Sequence, residues 1–340
     1  MKKTILLAAC IFSIRPSLGK EENFDNQEMD TTEQAAEIAK EADGKEEKGD
    51  IEGKKQLTKK KKVTIAFIVS FTVLIVICTL LRLSPLQDYI LFPRTIIPAD
   101  KNCAHQRILQ RQWVEQVTYA PKEGIEIEGL HYQAKKNPKK DQKIVLCFHG
   151  NADTMIAMDD IAEDLRRKGY STFSASYRGY GLPKNKKNRI RKESDLYEDV
   201  KAAMKKVLDL GYQRKNVLFF GHSMGGAVSI YAAKEYQGVV GVVTLNAPGS
   251  IPDCCGFFKY PVMPLLRYTL SSKDWIKSIT GKVTLLHAKN DSLIPYHNME
   301  ILAQAAKAAS KVECISLEEG DHNVFPSERI VKEIIKSFNS

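Results

Sequence analysis

The chain has 340 residues, 43% of them hydrophobic and 27% charged, with a formal net charge of +10. That is enough chain for one large domain or two small ones, and enough apolar content to bury a core. The positive charge averages over segments of opposite sign and has no aromatic–basic interleaving, so nucleic acid is not an expected partner. The seven cysteines include no C-x-x-C pair, so neither a zinc site nor a disulfide framework is expected.

Met1-Lys2-Lys3, the apolar run Ile5 to Ile14 and Ser17-Leu18-Gly19 read as a secretory signal peptide over residues 1–19. Residues 20–62 read as a disordered linker, acidic at first and then switching sign at Lys54, Lys55 and Lys59 to Lys62. From Val63 to Leu81 nineteen residues carry no charge, enough at helical rise to cover a bilayer hydrocarbon core, so residues 63–81 are expected to span a membrane once. The lysines ahead of the span place the N-terminus in the cytoplasm. A signal peptide at 1–19 places the linker outside instead. The two cues assign opposite orientations, and both leave a membrane anchor.

Residues 85–340 are expected to form one domain. The stretches 115–120 and 125–134 alternate as an antiparallel pair. Strands then follow at 143–148, 171–176, 216–220, 239–245, 282–287 and 312–317, interleaved with helices at 155–167, 194–210, 225–234, 297–308 and 328–338. Ser194 is placed to cap the second of these helices. Alternation of buried strands with helices predicts a mostly parallel sheet covered on both faces. Residues 248–273 break the rhythm with Pro252, Pro261 and Pro264 and read as a small cap or lid insertion.

Gly221-His222-Ser223-Met224-Gly225 lies between an apolar strand and a small-residue helix. A G-x-S-x-G turn in that context exposes the serine hydroxyl beyond the strand end, with helix N–H groups aimed at the same place. Serine needs a base and a group to orient that base. Asp291 and His322 each follow a later strand, in the order Ser, Asp, His, and are the candidate acid and base. Asp321 and Asp253 are alternative acids. The backbone N–H groups of Asn151 and Met224 are candidate oxyanion donors. His149 is expected to fix its loop by hydrogen bonding, and His222 to be a packing residue.

These residues bring a resemblance. The sequence resembles the α/β-hydrolase superfamily over residues 85–340, in the membrane-anchored, serine-aminopeptidase-like branch. The resemblance rests on His149-Gly150-Asn151-Ala152, Ser176-Tyr177-Arg178-Gly179-Tyr180-Gly181, the turn at Ser223, Asn290-Asp291 with Ile294-Pro295, and Gly320-Asp321-His322. It implies an eight-stranded sheet and hydrolysis through an acyl-enzyme without cofactor or metal. It also implies Ser223 as nucleophile, Asp291 as acid, His322 as base, and Asn151 and Met224 as oxyanion donors. The lysine-rich stretch 183–191 departs from the family pattern. The expected substrate is an acyl ester or thioester, including lipid; the alternatives are a serine peptidase and a non-catalytic binding module that keeps the fold.

Overall fold

The computed structural model describes residues 42–83, 86–92, 99–134, 141–181, 188–254 and 265–339. The signal-peptide reading at 1–19 and the core of the cap reading, 255–264, lie outside the described residues, as do residues 182–187 of the lysine-rich stretch. The chain divides into two units, Met1–Phe71 and Thr72–Ser340. Helix α1, Ala42–Leu83, begins in the first and ends in the second. Residues 42–62 are therefore helical rather than an unstructured linker. Their Glu and Lys content favours a helix once the apolar segment beyond has nucleated one, despite Gly44, Gly49 and Gly53. Within α1, Lys61–Leu80 is long and apolar enough, by length and composition, to cross a membrane. Its Val63, Phe67, Leu74 and Leu80 side chains are exposed, a pattern that a water-facing helix does not sustain. Thr79 returns its hydroxyl to Ile75 O at 2.8 Å, so that polar group is satisfied within the helix.

The second unit is built on a sheet of eight strands in the order β1-β2-β4-β3-β5-β6-β7-β8. These are β1 Val114–Lys122, β2 Ile125–Tyr132, β3 Ile144–Phe148, β4 Ser171–Ala175, β5 Val217–His222, β6 Gly241–Leu245, β7 Lys282–Ala288 and β8 Lys311–Leu317. β2 runs antiparallel to both β1 and β4, and the other pairings are parallel. The inner strands β3, β4, β5 and β6 are buried along their whole length; β3 reads accordingly as a continuous apolar run, while β4 buries Ser171, Thr172 and Ser174.

Their two faces feed two cores. Val145, Cys147, Leu218, Phe220, Val243 and Leu245 pack with Ile161 and Leu165 of α4 (Asp159–Arg167; α2 and α3 are Leu86–Leu91 and Ala99–Leu109) and with Ile330 and Ile334 of a C-terminal helix, Ser327–Asn339. Leu146, Phe148 and Phe219 pack instead with Leu196, Val200 and Met204 of α5, Glu193–Asp209, and with Ala227 and Val228 of α6, Met224–Glu235. Helices on both faces cover the inner strands and leave their ends open.

Some elements differ from the sequence reading. The helix expected from Met155 opens as a 3-10 turn, Met155–Met158, before α4. Ser194 does not cap α5; it falls inside the first turn. The Asp195 carboxylate does the work, accepting from the Arg191 and Lys192 amides at 2.8 and 3.2 Å, because a carboxylate takes two orphan donors at once. Asp195 and Asp199 also receive the buried Arg178, at 3.1 and 2.8 Å, and tie the loop after β4 to α5.

Candidate active site

β3 pairs with β4 on one side and β5 on the other, so the chain order reverses between β3 and β5. In parallel sheets the crevice at the strand ends beside such a reversal collects ligands. The turn at His149–Ala152 leaves β3 there, and Ser223 leaves β5 beside it.

Ser223 sits at φ 57°, ψ −123°, on the left-handed side that a non-glycine residue rarely occupies. Such a backbone costs about 1–3 kcal/mol and persists only where its surroundings enforce it. They do. A Cβ on Gly221 would lie 1.9 Å from Gly225 O, one on Gly225 2.1 Å from Phe148 O, and one on Gly226 2.6 Å from the Ala247 Cβ. The glycines let α6 start against β3, β5 and β6. Ser223 N donates to Leu245 O at 2.8 Å and pins the turn to β6.

His322 bridges two partners. Its Nε2 lies 2.9 Å from Ser223 Oγ and its Nδ1 2.7 Å from Asp291 Oδ2. A carboxylate only accepts, so Nδ1 carries the proton and Nε2 offers its lone pair to the serine hydroxyl. The other Asp291 oxygen accepts from the Leu293 and Ile294 amides at 2.9 and 2.8 Å. Burial pushes the Asp291 carboxyl up, but the hydrogen bonds from His322 and these amides outweigh it and hold the group below its ordinary value. His287 donates to Ile294 O at 2.9 Å and stiffens the same loop; burial pushes its imidazole down.

The His322 loop has supports that sequence reasoning missed. His222 is more than packing: its Nε2 donates to His322 O at 2.7 Å. Burial, then the neighbouring His322, push the His222 imidazole down to about 4. Asn246, buried at the end of β6 with φ 51°, donates to Asp321 O and His322 O at 3.1 and 3.2 Å. Its Oδ1 accepts from Ala288 N at 2.8 Å, so one carboxamide joins the ends of β6 and β7 to the His322 loop.

The alternative acids lie elsewhere. Asp321 spends Oδ1 on the Asn323 and Val324 amides, closing its own turn. Asp253 takes Lys273 Nζ at 2.7 Å and the Ser250 hydroxyl. His149 donates Nδ1–H to Gly150 O at 2.8 Å, and Tyr177 donates to His149 O at 3.0 Å. His149 holds a loop, as expected, and burial pushes its imidazole down. His297 is exposed at the start of a later helix, His297–Ala305.

Asn151 and Met224 flank the serine from two sides. A Cβ on Gly150, next to Asn151, would lie 3.4 Å from the Ser223 Cβ, so this turn passes close beside the serine. Met224 opens α6, and the first N–H groups of a helix have no partner within it. Among the described residues no three His, Cys, Asp or Glu side chains converge as a metal site.

A family model described as serine aminopeptidase, S33, matches residues 139–273. The chain is 25% identical over 221 residues to an uncharacterized membrane protein of Saccharomyces cerevisiae (strain ATCC 204508 / S288c), covering 62% of this chain and 73% of that one. It is also 25% identical over 210 residues to a thermostable monoacylglycerol lipase of Bacillus sp. (strain H-257), covering 58% and 81%. A solved α/β hydrolase from Vibrio vulnificus superposes with a TM-score of 0.60 at 18% identity, over 75% of this chain and 94% of that one.

Proposed function

Because this chain belongs to the α/β-hydrolase superfamily, in its serine aminopeptidase S33-like branch, we propose that it is a membrane-anchored serine hydrolase that cleaves an acyl ester or thioester through Ser223, His322 and Asp291. The observation that carries this reading is the series Ser223 Oγ to His322 Nε2 at 2.9 Å and His322 Nδ1 to Asp291 Oδ2 at 2.7 Å. His322 takes the hydroxyl proton as Ser223 Oγ attacks the substrate carbonyl carbon. The Asn151 and Met224 amides receive the oxyanion, each worth roughly 10²–10³ in rate. His322 then gives its proton to the leaving oxygen or sulfur. Water, deprotonated by the same imidazole, releases the acid from the acyl-enzyme.

An acyl ester substrate is favoured by the Bacillus relative, which is described as a monoacylglycerol lipase. The helix segment Lys61–Leu80 supports a single-pass anchor, and the yeast relative is described as a membrane protein. The S33 description supports a second reading, a serine peptidase.

The full chain in detergent, wild type beside Ser223→Ala, is treated with a fluorophosphonate probe. Labelling of wild type alone is expected, and a folded wild type that takes no label would overturn the hydrolase reading. Acyl esters of graded chain length against aminoacyl amides then separate esterase from peptidase.

A further inference from the structure

We infer that the Asn151 side chain is a positioning group through which the short helix following the apolar span, α2, sets the oxyanion turn. This rests on the reading of Asn151 N–H as an oxyanion donor. Asn151 Nδ2 donates to Leu91 O at 2.6 Å. Its Oδ1 accepts from Tyr180 OH at 2.8 Å and from Ala152 N at 3.1 Å. The amide cannot be turned round, because Leu91 O only accepts and Ala152 N only donates. Leu91 is the last residue of α2, so its carbonyl has no partner within the helix and Asn151 supplies one.

The turn needs such restraint. Ala152 sits at φ 55°, a left-handed conformation that a non-glycine residue adopts only when held. Tyr180 is buried and lies two residues from Arg178, itself fastened to Asp195 and Asp199. On the other side, α2 is fastened away from the serine. Gln87 donates to Leu265 O at 2.7 Å and accepts from Arg267 N at 2.9 Å. Asp88 accepts from both Arg267 and Tyr268, and Phe92 meets the Tyr268 ring edge-on at 4.8 Å. A continuous route thus runs from Asp88 through α2 and Leu91 O to the Asn151 side chain, and from there to its backbone N–H. Slack anywhere along it moves a donor that matters to the oxyanion and not to bound substrate, so the loss falls on kcat.

The test uses the full chain in detergent and a soluble p-nitrophenyl ester. Asn151→Ala is expected to lower kcat about 10- to 100-fold with KM changed less than about threefold, part of the effect of losing an oxyanion donor outright. Asp88→Asn, remote from the serine, is expected to lower kcat about fivefold with KM and the pH profile unchanged, since Ser223, His322 and Asp291 are untouched. The double variant should be no slower than Asn151→Ala alone, because both break one route. Losses that multiply, or an Asp88→Asn kcat within about twofold of wild type, would overturn the inference. If Asn151→Ala does not fold, Tyr180→Phe replaces it. That variant removes one hydroxyl and should lower kcat about fivefold at constant KM, and an unchanged kcat would overturn the idea. An active wild type with unaffected variants sinks this inference alone. A wild type that takes no fluorophosphonate and hydrolyses nothing sinks the hydrolase reading and this inference with it.

Discussion

Replacing Asp291 with Asn tests the proposed site most sharply, because the surrounding hydrogen bonds dictate how the new side chain must lie. Asp291 Oδ1 accepts from two backbone amides, at 2.9 and 2.8 Å, and Oδ2 accepts from His322 Nδ1. In Asp291→Asn the amide oxygen must stay with the two N–H donors, since turning it round would set donors against donors. The NH₂ group then faces His322 Nδ1 and forces the proton onto Nε2. An imidazole with Nε2–H donates to Ser223 Oγ and cannot take its proton. The expected loss in kcat is roughly 10⁴-fold, equivalent to about 5 kcal/mol. Stability should fall by no more than about 1 kcal/mol, because both amide hydrogen bonds survive. The assay is kcat on a soluble ester, with active sites counted by fluorophosphonate, beside a denaturant melt. A folded Asp291→Asn protein within tenfold of wild type would refute the reasoning and return Asp321 or Asp253 to consideration.

Gly225→Ala should lose more than about 3 kcal/mol, a Tm drop of roughly 6–12 °C, because its Cβ would meet the Phe148 and His149 carbonyls at 2.1 and 2.6 Å and neither backbone can yield; a melt within 2 °C of wild type contradicts this. Asn246→Asp keeps the acceptor for the Ala288 amide and loses the donor to Asp321 O and His322 O. Its kcat should fall about tenfold, one hydrogen bond's worth, and an unchanged kcat would show that those contacts do not hold His322 in place. His222 carries a folded pKa of about 4 against an ordinary value near 6.5, so between those values the unfolded chain binds a proton that the folded one refuses. The stability it contributes is complete above about pH 6.5 and is lost as pH falls toward 4, on the order of 3 kcal/mol in all. Denaturant melts from pH 7 to 4.5 should therefore fall more steeply for wild type than for His222→Asn, and parallel curves would refute this assignment.

Much of the fold is legible in the sequence because burial leaves a pattern. Strands covered on both faces favour unbroken apolar runs, as in Ile144–Phe148 and residues 217–220, and helices against them show one apolar face. Ser223 is legible for a related reason: two backbone segments pass too close for any Cβ, so glycines appear at a set spacing around the serine. Asp291 and His322 are legible because each follows directly on a strand. The cap of α5 was misread because Ser194 and Asp195 are both good capping residues, and only the path of the chain at Arg191 and Lys192 selects the carboxylate.

The supports of the site are different. Asn246 reaches His322 across 76 residues and His222 reaches it across 100, while the Asn151 side chain meets Leu91 across 60. Such hydrogen bonds impose no period and no spacing, since either partner satisfies its own local rules without the other. The amino-acid sequence alone determined the strands of the sheet and the helices that cover it, where an apolar span lies and which residues are chemically fit to be nucleophile, acid and base, because those follow from local burial and crowding. Only the tertiary structure decided which carboxylate meets His322, what holds that imidazole in place and what holds the turn at Asn151, because those depend on the register in which distant strand ends are brought together.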